Sequence, residues 1–219
     1  MNAVDFLLWV KGPAFTVAVV IFVVGMLLRF FEILSLGKKV NYAVPKGDPV
    51  QGGLRELWRR SVPDKATFQR SMLTIVAGYV FHLALVVVIF LLAAHIALFK
   101  SVIGFGWPNL PTPLVDASAV IGMIALVVML IHRVQHPVKR FLSTPADYLV
   151  WGATFTPLLT GYMAYHHLLL SPQMMLGLHI LSVEFLLVVF PFTKLTHAFT
   201  LFLSRWYNGA SMGMRGVKS

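Results

Sequence analysis

The 219-residue sequence predicts an all-α integral membrane protein with five transmembrane helices, N-terminus outside and C-terminus inside. Three observations carry that fold class. Hydrophobic residues make up 58% of the chain and charged residues only 12%, about half the roughly 25% usual in soluble domains. Five apolar stretches reach the about twenty residues that cross about 30 Å of hydrocarbon. The basic residues, source of a net charge of +10, gather on one side of those stretches. Charge so sparse on so apolar a chain excludes a nucleic-acid-binding domain. Cysteine is absent, so disulfides, Cys-ligated zinc, iron–sulfur clusters and thioether-attached haem are excluded too. Any redox metal must be held by nitrogen or oxygen.

The first span covers about 14–34. Its apolar run is long and Arg29 follows rather than precedes it, so it reads as a retained span and not a signal peptide. The inner loop 35–71 carries Lys38, Lys39, Lys46, Arg55, Arg59, Arg60, Lys65 and Arg70. Within it, Leu54–Arg60 forms an amphipathic pattern, suited to docking a partner through arginine and Trp58 or to lying on anionic lipid. The second span, 72–99, exceeds the bilayer and should tilt or protrude. The third covers 112–133 and leads into Arg133, Lys139 and Arg140. Thr144-Pro145-Ala146-Asp147 opens the fourth, 148–170, with a cap, a first-turn proline and an acid at the positive helix end. Ser171-Pro172-Gln173 opens the fifth, 174–203, and Pro157 and Pro191 should kink their helices. With Arg205, Arg215 and Lys218 in the tail, fourteen basic residues face one side against Lys11 and Lys100 on the other. The chain reads as one membrane domain without repeats.

Eight histidines are the informative feature. An ionisable residue within a span is costly and is a functional candidate by default. His179 and His197 are 18 apart, five whole turns of a continuous helix, which puts both imidazoles on one face about 27 Å apart. The second span runs the opposite way and carries His82 toward the inside and His95 toward the outside. Antiparallel packing then pairs His82 with His197 and His95 with His179, two His–Fe–His sets suited to two b haems, one near each leaflet. The 13-residue spacing of His82 and His95 sets them about 140° apart on an ideal helix, so His166 or His167 stands as the alternative outer ligand. His132 and His136, one turn apart without an acidic partner, read as a solvated interfacial pair.

The last span carries a recognisable pattern. Leu178-His179, then Phe190-Pro191-Phe192-Thr193-Lys194-Leu195-Thr196-His197, resembles the last helix of the gamma subunit of respiratory nitrate reductase, a dihaem cytochrome b. Gly25 with Leu28-Arg29, Phe81-His82 and Thr144 to Asp147 extend the resemblance over nearly the whole chain. It implies an inner haem on His82 and His197 and an outer haem on His95 and His179. It further implies electron transfer between membrane quinone and an inner-side iron–sulfur subunit, in a prokaryotic cytoplasmic membrane. Two departures stand out: the second-span histidines are farther apart than in that family, and the loop at Ser171-Pro172-Gln173 is short. The first bears on His95 as the outer ligand; the second fits better the compact cytochrome b subunits of dissimilatory sulfur-metabolism complexes.

A quinone headgroup wants polar donors in an apolar pocket, and Lys100, Asp116, Tyr165 and His166 fall toward the outer side. Glu184, inside the fifth span, could carry protons or pair with a neighbouring polar group. Lys194 and Arg29 suit the inner interface or a haem propionate. The resulting expectation is a quinone-reactive electron-transfer subunit of an oxidoreductase. A His-lined ion or metal transporter and a haem-free membrane anchor are the alternatives.

Overall fold

The computed structural model describes residues 2–37, 42 and 44–217. Lys38, Lys39 and Lys218 of the expected inner-side basic set lie outside the described residues. Helix α1 runs Ala3–Ser35 and so begins well before position 14. Asn2 caps it, accepting the Asp5 N–H at 2.8 Å. Pro13 has no N–H to give, and the helix widens around it into a π turn at Val10–Ala14. Asp48 caps α2 (Pro49–Arg59), and Asp64 opens α3 (Lys65–Leu91) by accepting the Thr67 N–H and O–H.

The expected span 72–99 is not one helix. Leu92 is extended (φ −78°, ψ 129°), and the chain restarts as α4 (Ala93–Ile103), which Gly104 ends in the left-handed conformation at φ +85°. Helices α5 (Thr112–Gln135), α6 (Pro137–Leu142) and α7 (Pro145–Tyr165) follow. The Asp147 carboxylate accepts both the Thr144 N–H and O–H at 2.9 Å, as the Thr-Pro-Ala-Asp signal implies. Pro157 leaves α7 unbroken, and α7 stops before 170. Helix α8 (Pro172–Val189) gives way to 3₁₀ turns at Phe190–Phe192 and Lys194–Thr196 before α9 (His197–Met214). The expected span 174–203 is therefore also interrupted, at Pro191 and at extended Thr193 (φ −127°, ψ −179°).

Among the described residues, four helical stretches are long and apolar enough to cross a membrane: Ala3–Ser35, Lys65–Leu91, Thr112–Gln135 and Pro172–Phe192. Only 11–28% of the most apolar part of each is buried within the chain. Apolar surface left outward on that scale belongs in hydrocarbon, the make-up of a multi-pass membrane protein.

The chain divides into two compact units, one holding the residues up to Val19 with Met72–Val189, the other Val20–Ser71 with the residues from Phe190 on. In the first, Ala77 and Phe81 of α3, Ala125 and Leu126 of α5 and Leu158 of α7 form the core. Trp151 Nε1 donates to the Leu126 carbonyl at 2.8 Å, and Lys139 of α6 donates to Thr74 Oγ1. Burial, with Arg133 close by, pushes the Lys139 amine below its ordinary value. In the second unit α2 packs on α9 through glycines. A Cβ at Gly209 would come within 2.5 Å of the Glu56 Cβ, and one at Gly213 within 2.7 Å of the Asp48 carbonyl. Glu56 is buried there and ion-paired with Arg60, while Leu54 and Trp58 point outward.

Candidate functional site

The break at Leu92 leaves the last carbonyls of α3 without helical donors, and local groups answer them. Leu110 N–H donates to Leu91 O at 3.0 Å, Trp107 Nε1 to Phe90 O at 2.5 Å, and His95 Nδ1 lies 2.8 Å from Val88 O. His95 thereby sits on a short helix of its own, so its azimuth relative to His82 is not that of a continuous helix.

The structure brings together His95 and His179. Their ring centres lie 6.3 Å apart with 23° between the planes. The His179 ring rests on Gly161 of α7, where a Cβ would come within 2.9 Å of Cε1. Thr160 Oγ1 lies 3.4 Å from the His179 Nδ1. Thr160 in turn meets Ser182 Oγ at 3.0 Å. With Nδ1 of His95 committed to a carbonyl, its Nε2 carries the free lone pair. Imidazole suits iron, copper and zinc alike, and these two rings would be the residues to hold such an ion. Tying the second ring nitrogen to a carbonyl is how metal-ligating histidines are oriented.

His82 belongs to the first unit and His197 to the second. Each shows the same device: His82 Nδ1 lies 2.7 Å from Gly78 O, and His197 Nδ1 2.7 Å from Lys194 O. The reckoning that set His179 and His197 on one face assumed an unbroken helix, and the 3₁₀ turns between them remove it. Pro191 O, freed at that interruption, accepts from Arg29 Nε at 2.8 Å. Arg29 also pairs with Glu32 at 2.9 Å, which gives it a backbone-holding role.

Of the polar residues expected toward the outer side, Asp116 and His166 meet at 3.3 Å through His166 Nε2, and Tyr165 Oη lies 3.2 Å from Thr112 Oγ1. These contacts tie the start of α5 to the end of α7. His166 thus has its Nε2 on a carboxylate, and His167 sits at φ +54° in the turn beyond α7. Lys100 instead lines a cavity of about 510 Å³ with Ile96, Trp107 and Asn109. The His132 and His136 rings lie 5.4 Å apart, edge to face. Among the described residues no group of three or more His, Asp or Glu gathers as a metal cluster; a bis-histidine site needs only two.

Sequence reading missed the Val88 carbonyl, Gly161, Thr160 and Trp107. Each acts through a neighbour brought up by packing, and no spacing rule connects position 161 to 179 or 107 to 90.

No protein-family model matches the chain, and no solved structure does. The chain is similar to a protein of Nitratidesulfovibrio vulgaris (strain Hildenborough) named only "Protein". The two are 28% identical over 212 residues, which cover 94% of this chain and 93% of that one.

Proposed function

We propose that the chain is a dihaem b membrane subunit of a respiratory oxidoreductase, moving electrons between the quinone pool and an inner-side iron–sulfur partner. The observation that carries this reading is the His95–His179 pair, 6.3 Å between ring centres, with Nδ1 of His95 held by the Val88 carbonyl. A bound b haem would supply one-electron chemistry. The chain's part is to hold the imidazoles. Val88 O orients the His95 ring, Thr160 meets the His179 Nδ1, and Gly161 admits His179 close to α7. Gly78 O and Lys194 O set the tautomers of His82 and His197, the inner ligands of this reading. His95 is preferred over His166 because Asp116 engages the His166 Nε2.

The reading has five spans in a bacterial cytoplasmic membrane, with α7 as the fourth. Its 21 residues reach about 31 Å. Its threonines suit that place: Thr154, Thr156 and Thr160 donate to carbonyls four residues back, at 2.6–2.8 Å. Basic residues on α2, α6 and α9 set the inner side, and the outward Trp58 with Arg59 supplies a docking face for the partner. An optical spectrum of the dithionite-reduced, purified protein tests the proposal. A b-type spectrum with two haems per chain is expected, and its absence overturns it.

A further inference from the structure

Glu184 lies on α8 and is 4% exposed, yet its Oε1 has no hydrogen-bond partner. A buried polar atom left unpaired is costly and marks a place where something outside the chain completes the bonding. Glu184 lines a cavity of about 850 Å³ walled by α1, α7 and α8, a volume within the range of small-molecule sites. The walls are apolar and aromatic, with Trp9, Val17, Phe185 and Val188 prominent. The lining hydroxyls already donate to carbonyls: Thr156 to Gly152 O at 2.8 Å, Thr160 to Thr156 O at 2.7 Å, Ser182 to His179 O at 2.7 Å. Among the described lining residues, the carboxyl is the group with a buried polar atom left without a partner.

We propose that this cavity binds a lipid-soluble aromatic molecule bearing carbonyl or hydroxyl oxygens, the quinone–quinol class, with one oxygen hydrogen-bonded to Glu184. The ligand class rests on the function proposed above, while the site rests on the cavity and the unpaired carboxyl. A carboxyl group both donates and accepts, so it serves either redox form of such a ligand. Trp9 and Phe185 offer ring faces to a planar headgroup. The Thr160–Ser182 pair, which touches His179 from the same wall, stands between the ligand and that imidazole. The site is distinct from the Asp116, Tyr165 and His166 contacts, whose polar atoms already bond one another or Thr112.

Menadione titrated into the purified protein in detergent, followed by tryptophan fluorescence, tests this. Saturable quenching is expected, and Trp9→Phe should remove it while the other tryptophans remain. Glu184→Leu, which deletes an unpaired buried group and should raise the melting temperature, is expected to weaken binding at least about tenfold. Glu184→Gln, which keeps a donor and an acceptor, should stay within about threefold. Gly152→Leu fills the cavity where a Cβ meets nothing within 4 Å and should abolish binding without harming the fold. Unchanged affinity in Glu184→Leu or Gly152→Leu, or no saturable quenching in the parent protein, overturns the proposal. Binding by a protein with no b-type spectrum keeps the site and discards the haem. A dihaem spectrum without binding does the reverse.

Discussion

Two helix interruptions, at Leu92 and at Phe190–Thr196, each bring a histidine into place, and they do so by different means. The second is written in the chain: Pro191 cannot donate to the helix ladder, and Arg29 takes the Pro191 carbonyl at 2.8 Å. The first has no such mark. Residues 79–103 contain neither proline nor glycine, and the apolar run through Leu91 and Leu92 would continue as helix. It stops because the segment after Gly104 returns across the end of α3, where Trp107 and Leu110 satisfy Phe90 and Leu91 and His95 reaches Val88. A proline breaks a helix locally. A competing set of donors breaks one only once the chain has folded back.

The comparison is sharpest at the histidines. Under the dihaem reading, His95→Ala or His179→Ala removes one of the two haems and His166→Ala removes neither, measured by pyridine haemochrome. Loss of haem in the His166 variant alone would hand the outer ligand to His166 and take the functional meaning from the Leu92 break.

The second region depends on close helix packing. Gly209→Leu forces side-chain atoms into Glu56 and the backbone of α2, and overpacking of this kind costs about 1–3 kcal/mol. Faster proteolysis in residues 44–61 should report it. Arg29→Met withdraws a charge-assisted donor from Pro191 O, at about 1.5–3 kcal/mol. Trp107→Phe withdraws a neutral donor from Phe90 O, at about 0.5–1.5 kcal/mol. Thermal unfolding of the pair ranks the two interruptions: a larger loss for Trp107→Phe would make the unmarked break the more dependent on its donor.

The smallest effect is at the start of α3. The Thr67 hydroxyl and amide hold the Asp64 carboxyl below its ordinary value of 3.8. A depressed folded value means the contribution is present above the unfolded value and is lost as pH falls through the folded one. Protection of the Ala66 to Phe68 amides against exchange, relative to the free-peptide rate at the same pH, should fall on acidification below that value, and Asp64→Asn should remove this pH dependence.

Much of this molecule is legible in the sequence because it rests on local chemistry. Thr144 and Asp147 cap α7 as the motif implies, Pro172 opens α8, and the apolar runs become long helices with outward apolar faces. The approach of the His95 and His179 rings is legible in the sequence only as a pairing of two residues. Its spacing misfit was real, and the cause lay outside the span. At the other end the motif around Pro191 was visible, but treating it as one uninterrupted helix placed His197 by a geometry the chain does not have.

The sequence by itself determined the helical class, the apolar stretches and which residue types could hold a metal, since composition, periodicity and the lack of any cysteine are properties of the chain alone. Tertiary structure decided where α3 ends, which histidine faces His179, and that Glu184 is buried beside a cavity without a partner. Those outcomes depend on donors and walls contributed by residues distant in the chain. A helix continues or stops according to whether its last carbonyls find a better partner elsewhere, and that balance is struck only on packing.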